Sequence, residues 1–384
     1  MSQSSATPTP QQRNITLALY LPYAWTSSKF APAGPWGPTS SQAFQIGLDS
    51  AAQLAVDEIN NSSTGIHVSL IRFNSWDPIR PNPKAKYFSG GYSMLAAQKL
   101  VATHPEIAGV IGETFSSTTT YSGEVFSALK IPFCLPSQGS AIFSNKNKYP
   151  YVWRMVSGVA IQGSLFLKLL QTWGVTKVAL ITQDAGSGLS AGLSVISAFE
   201  NSGIQLSVIL RYTLPASTYK NMGFIMSELK RVDARYVIIT SQNQDDPAFI
   251  YFRAFNQSLA GPGRVWFMNF SPSPTSGKFS DYGGINATQN LEGVVVLQTT
   301  PSYSQTAIEF TRRWLQLNQI NNNSYPVVNG APAANTPGSY DCVKTMVAGM
   351  MNFVANNASI TSLSAPSIRS ALIPSVFSNT AQSH

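Results

Sequence analysis

Short apolar runs alternate with helical periods along most of this chain. ITLALYL (15–21) reads as a strand. A Gly/Pro/Ser/Trp-rich loop (26–40) follows, and then a helix from about Ser41 to Asn60 with Phe44, Leu48, Ala51, Ala52, Ala55 and Ile59 at helical spacing. The run Asn-Asn-Ser-Ser-Thr-Gly ends that helix, with Gly65 nearby as its C-cap. Strands are predicted at 67–73, 107–112 and 131–135, with helices at 90–104 and 116–129 between them. The second half repeats the rhythm: helix 159–173, strand 177–182, helix 188–202, strand 205–212, helix 219–231 and strand 236–240. A helix opens at Asp246-Pro247, read as an N-cap followed by proline in the first turn, and runs to about 257. Strand 264–270, a Ser/Pro/Gly-rich loop, strand 293–299 and helices at 305–318, 339–355 and 366–373 complete the pattern.

Strands alternating with ten- to fifteen-residue helices build right-handed βαβ units around a parallel sheet covered on both faces. The two blocks, 15–135 and 177–270, hold too many strands for one compact sheet. The expected fold class is therefore α/β, with two doubly wound parallel-sheet lobes and a cleft between them. In open α/β sheets ligands sit outside the carboxyl ends of the strands. The loops after 112, 135, 182, 240 and 270 are thus the candidate binding edge.

Composition narrows the function. The 384 residues are 43% hydrophobic and only 11% charged, enough to bury two cores and too apolar for a disordered tail protein. Lys and Arg number 25 against 17 acids, a net +8, but they are scattered, so no nucleic-acid partner is expected. No stretch of about eighteen apolar residues occurs, so no spanning segment is expected in this chain. The N-terminus has neither a charged start nor an apolar core, and reads as a solvated leader (1–12) without a signal peptide. Three histidines and two cysteines without ligand spacing give no metal site. Cys134, in a strand pattern, and Cys342, in a helix pattern, read as two buried thiols in preference to a bridge. Asn-x-Ser/Thr triplets begin at Asn14, Asn60, Asn61, Asn256, Asn269, Asn286, Asn322 and Asn357, which favours a secreted or cell-surface setting.

No catalytic machinery emerges. There is no Gly-x-Ser-x-Gly elbow, no phosphate loop with its lysine and no Gly-x-Gly-x-x-Gly after a strand. Asp184-Ala185-Gly186-Ser187-Gly188 follows a strand but reads as a tight strand-to-helix turn. Asp245-Asp246 is explained by capping, and nothing supports a Cys134/His104 dyad. The strand ends carry hydroxyls and amides instead. Gly112-Glu113-Thr114-Phe115-Ser116-Ser117-Thr118 closes a strand and opens a helix, whose free N–H groups suit a carboxylate or phosphate. Ser116 or Ser117 is also expected to cap that helix. Leu135-Pro136-Ser137-Gln138-Gly139-Ser140 is a second hydroxyl-rich turn. These features suit binding of a small polar molecule, with no catalytic residue, cofactor or metal expected.

Several ordered segments resemble a known family. Ala55–Asn60, Gly109–Gly112 followed by Ser116-Ser117, Ile131-Pro132, Ser144-Asn145, Tyr149–Arg154 and Gly174–Ala179 resemble the type I periplasmic-binding-protein-like flytrap, the receptor family ligand-binding region. Leu229–Arg231 with Asp233–Arg235, Val265–Phe267 and Tyr340-Asp341 more narrowly resemble the ectodomains of class C G-protein-coupled receptors, especially metabotropic GABA type B receptors. The order holds over roughly 15–375. The resemblance implies two lobes joined by a three-segment hinge: 13–155 and 300–361 as lobe 1, 156–299 and 362–375 as lobe 2, and 376–384 as a tail. It places ligand contacts at Ser116, Ser117, Ser137, Gln138, Gly139, Asp184, Gln242, Asn243, Phe270 and Trp36 (with Trp25 an alternative for the last).

Two departures bear on the ligand. Gln242-Asn243 stands where these receptors carry Tyr-Glu. Asn269 and Asn335 stand where amino-acid receptors place an acid, and an unpaired ammonium in a closed cleft is costly. The expected ligand is small and polar, amino-acid-like or a neutral metabolite. The resemblance further implies lobe closure as the signal, a homo- or heterodimer through lobe 1, and a place on the extracellular face of the plasma membrane, the membrane segment lying outside this chain. The chain also lacks a match to the final lobe-2 strand, as a receptor fragment would. A transport solute-binding protein of the same fold is the alternative.

Overall fold

A computed structural model describes residues 13–23, 40–62, 65–75, 90–200, 202–213, 216, 219–242, 245–269, 291–297, 304–322, 324–328, 330–333 and 335–356. The expected leader, the helix at 366–373, the tail, Trp25, Trp36, Asn243 and Phe270 lie outside the described residues.

Two five-stranded parallel sheets form the frame. The first runs β2-β1-β3-β4-β5, from β1 (Arg13–Leu21), β2 (Ile66–Asn74), β3 (Gly109–Gly112), β4 (Phe133–Leu135) and β5 (Val152–Arg154). The second runs β10-β9-β8-β6-β7, from β6 (Lys177–Gln183), β7 (Gln205–Tyr212), β8 (Tyr236–Thr240), β9 (Val265–Met268) and β10 (Val294–Val296). Each order starts in the middle of its sheet and reverses direction, the doubly wound pattern that opens a crevice at the carboxyl edge. The α/β expectation with two parallel sheets is therefore met.

Burial explains which strands are central. From Leu17 to Leu21, β1 is buried on both faces, as a strand covered by helices on each side must be. β2 and β7, at sheet edges, alternate buried and exposed positions. Helices α1 (Ser40–Asn60), α2 (Gly90–Thr103) and α3 (Ser116–Ala128) cover the first sheet, and α4 (Ile161–Thr172), α5 (Gly186–Phe199), α6 (Met222–Arg231) and α7 (Asp245–Phe255) the second. After β5 the chain leaves the first sheet for α4, whose Phe166 and Leu170 join the second core. After β10 it returns. Phe310 and Trp314 of α8 (Gln305–Ile320) pack with Ala51 and Leu54 of α1, and α9 (Thr336–Asn356) sends Cys342, Val343 and Met346 into the first core. A small antiparallel pair, β11 (Val327–Val328) with β12 (Ala331–Pro332), lies between α8 and α9.

Three local expectations are corrected. Cys134 and Cys342 are not free thiols. They form a disulfide with Cα atoms 5.7 Å apart, because α9 docks on the face of the sheet from which Cys134 points. Asp246 lies in the first turn of α7 and is 3% exposed, and its Oδ1 accepts the Ala216 N–H at 3.0 Å, a tertiary contact. Gly65, with φ +67°, does not cap α1; it turns the chain into β2, where its carbonyl accepts the Arg13 N–H.

Candidate functional site

The carboxyl edges of the two sheets face one another. On the first, β3 ends at Gly112, whose φ of +138° and position 2.1 Å (for an added Cβ) from the Tyr20 carbonyl oxygen admit only glycine. The Gly112–Glu113 peptide is cis. Glu113 then turns beneath the surface, 3% exposed, and its Oε2 accepts from Ser93 Oγ (3.1 Å) and Ser122 Oγ (3.3 Å). Burial pushes its carboxyl up to about 7, and hydrogen bonds from neighbouring hydroxyls offset only part of that.

The helix that follows is uncapped. The N-cap of α3 is Phe115, with no side-chain cap hydrogen bond, so neither Ser116 nor Ser117 performs the capping role expected of it. Both serines sit inside the first turn, where N–H groups have no intrahelical partner. Ser116 is 5% exposed. The second turn is tied to the first: Ser137 Oγ donates to the Thr114 carbonyl at 3.2 Å, and Thr114 Oγ1 donates to Gln45 Oε1 at 3.0 Å. Gln138 accepts the Ser137 N–H on Oε1, and its buried Nε2 has no partner. The Gly139 carbonyl accepts the Val159 N–H at 2.8 Å, which joins this turn to the segment leading to the second lobe.

The second rim mirrors the first. Gln183 is fully buried at the end of β6, accepts the Gln242 N–H at 2.9 Å and leaves Nε2 without a partner. Asp184 is exposed, and partial desolvation raises its carboxyl above the ordinary aspartate range. α5 starts at Gly186 after Ala185, again with no side-chain cap hydrogen bond. A Cβ on Gly186, at φ +61°, would lie 2.1 Å from Gln242 Oε1 and 3.8 Å from Ser117 Cβ. Ser117 of one lobe, Gly186 and Gln242 of the other therefore share one small space. Beside it, Ser140 Oγ and Ser190 Oγ are 2.8 Å apart, a direct hydrogen bond between lobes.

The structure thus brings Ser116 and Ser117, Ser137 to Gly139, and Asp184 and Gln242 to facing edges. Asn269, considered for its position opposite a ligand amine, is occupied: its Oδ1 accepts the Ser241 N–H and its Nδ2 donates to the Ser241 carbonyl. Asn335 is exposed ahead of α9, with φ +61°. Glu113 was read only as part of the 112–118 turn, and Gln183 and Ser190 were not among the expected contacts. The first two were legible as polar residues at strand ends, whereas Ser190 lies inside a helix and gave no signal. Among the described residues no cluster of three or more His, Cys, Asp or Glu is placed to hold a metal, and no helix is long and apolar enough to cross a membrane. A surface depression of about 240 Å³ lies at the opposite, amino edge of the second sheet, beside Lys177, Ser207 and Asp233. The Asp233 carboxylate there already pairs with Arg264 at 3.1 Å.

Two facing edges of this kind, each presenting an uncapped helix N-terminus, hydroxyls and amides, suit the binding of a small solute. Solved structures share the architecture. A protein assigned to branched-chain amino acid ABC transport from Rhodospirillum rubrum superposes with a TM-score of 0.56 at 20% identity, over 93% of this chain and 88% of that one. The solute-binding protein of an R. palustris ABC transporter, in complex with 4-hydroxybenzoate, superposes with a TM-score of 0.62 at 17% identity, over 94% and 84%. By sequence, the chain is 26% identical over 191 residues to taste receptor type 1 member 3 of Canis lupus familiaris, covering 48% of this chain and 22% of that protein. It is 23% identical over 233 residues to taste receptor type 1 member 1 of Homo sapiens, covering 57% and 26%. The chain thus spans about a quarter of the length of these curated relatives. The model of the family described as receptor family ligand binding region matches residues 47–376, and with the paired parallel sheets and the facing polar edges this chain belongs to that family.

Proposed function

We propose that this chain is the extracellular ligand-binding domain of a cell-surface receptor of the class C G-protein-coupled type, closing on a small polar ligand between its two lobes. The observation that carries the binding reading is the approach of two uncapped helix N-termini, α3 and α5, at Ser117 and Gly186. Unpartnered N–H groups and a partial positive charge at each end favour a ligand acceptor atom in the gap. The orphan donors Gln138 Nε2 and Gln183 Nε2 add to that preference. The ligand rests on lobe 1 through Ser116, Ser117 and the 137–139 turn. Asp184 and Gln242 meet it from lobe 2. Closure is driven by contacts made only in the closed form. Shifting an equilibrium from 1:99 to 99:1 takes about 5.5 kcal/mol of differential affinity.

The receptor assignment draws support from the taste-receptor relatives. A solute-binding protein serving a transporter is the second reading, favoured by the two structural neighbours. In the receptor, exposed Leu95 of α2 and Tyr121 of α3 (59% and 47%) supply an apolar lobe-1 face for a dimer partner. The test is a titration of purified protein with a panel of small carboxylates, amino acids and neutral polar metabolites, read by calorimetry and by small-angle scattering. One panel member should bind and compact the protein. Ser116→Ala should weaken it about five- to tenfold, the scale of one hydrogen bond. Absence of any binder, or unchanged affinity in Ser116→Ala, defeats this reading. Measured turnover of the bound compound would make the chain an enzyme instead.

A further inference from the structure

We propose that this chain carries N-linked glycans at Asn14, Asn61, Asn256 and Asn322 and none at Asn60 or Asn269. All six begin Asn-x-Ser/Thr triplets, so sequence alone treats them alike. The fold separates them. Asn269 is 6% exposed, and both ends of its amide are held by the Ser241 backbone. Asn60 is half-buried and its amide spans Val68, donating to the carbonyl at 3.0 Å and accepting the N–H at 2.7 Å. A sugar on either nitrogen displaces these hydrogen bonds, and at Asn269 it also forces a bulky polar group into the core, so modification at either position disfavours this fold.

The other four are exposed, and among the described residues no side-chain hydrogen bond occupies their amides. Their places also agree. Asn14 is the second residue of β1, Asn61 follows the end of α1, and Asn256 follows the end of α7. In parallel α/β units strand starts and helix ends share the amino edge, away from the carboxyl edge that holds Ser116 and Gln183. Asn322 lies in the turn after α8. Glycans at the first three therefore project from the far poles of the lobes and leave the cleft mouth open.

A second observation supports the compartment. The Cys134–Cys342 disulfide forms and persists in an oxidising environment such as the secretory lumen, where glycans are transferred. In the transfer, the Asn amide nitrogen attacks C1 of an oligosaccharide held on a lipid pyrophosphate. The C1–O bond breaks, the C1–N bond forms, and the lipid pyrophosphate leaves with the amide proton balanced into solution.

The inference rests on passage through a secretory compartment and is independent of the ligand, so failure of every binding assay leaves it standing. The full chain is expressed behind a cleavable secretion signal in animal cells, and glycans are released by the amidase in ¹⁸O water before peptide mapping. The expected result is ¹⁸O-labelled acid at positions 14, 61, 256 and 322 and unmodified amide at 60 and 269. Asn256→Gln and Asn322→Gln should each remove one mobility step without lowering secretion. Label at 60 or 269 in secreted, disulfide-bonded protein overturns the assignment. So does a chain, secreted or retained, that is unmodified at the four exposed positions.

Discussion

Replacing Glu113 by Gln should make the protein more stable at pH 8 and leave it unchanged near pH 4.5. In the folded protein the Glu113 carboxyl is buried and pushed up to about 7 from an ordinary 4.5, burial being the largest cause. The folded state therefore holds a proton that the unfolded chain releases at lower pH. Stability from this group is complete below pH 4.5 and is lost as pH rises through 7. From 4.5 to about 7, linkage sets that loss at about 3 kcal/mol. Gln has the shape of the protonated acid, and its oxygen can accept from Ser93 and Ser122 as the carboxyl does. Urea unfolding of both proteins from pH 4.5 to 8.5 reads the difference. The two stability curves should coincide at the acid end and diverge by about 3 kcal/mol above pH 7.5. Parallel curves across the whole range would refute the claim that Glu113 folds as a neutral acid.

Three further outcomes follow from the same geometry. The Cys134→Ala/Cys342→Ala double variant reopens a loop spanning 208 residues, for which chain entropy alone gives about 5 kcal/mol of lost stability. Guanidinium titration checks this, and a wild type insensitive to reductant, with both thiols open to alkylation, would contradict it. Ser190→Ala removes the hydrogen bond to Ser140 and should weaken the contact between the two lobes by about 1 kcal/mol. That appears as a larger radius of gyration without ligand, and an unchanged radius counts against this bond holding the lobes together. Gly186→Ala forces a Cβ towards Gln242 Oε1 at φ +61°, at a cost of about 1–2 kcal/mol. A thermal melt equal to wild type would refute the backbone strain assigned to this position.

Much of the frame was legible along the chain. Apolar runs such as 205–212 and 236–240 coincide with β7 and β8, because a strand buried on one or both faces must carry its burial in its own residues. The alternation of strand and helix likewise required parallel sheets, and the turns at 113–118 and 135–140 stood out as candidates because hydroxyls and amides cluster there at strand ends. What the chain could not disclose was contact between distant segments. Cys134 and Cys342 stand 208 residues apart, and only the docking of α9 beside β4 makes them a pair. β5 is too short to show a period, and it exists because β4 offers it an edge. Ser116 looked like a cap, yet backbone geometry placed the cap at Phe115 and left the serine inside the first turn. Local propensity depends on a residue and its near neighbours, and those the sequence displays. Which hydroxyl meets which amide across a cleft depends on how two sheets come to face each other, and that is set only when the whole chain has packed.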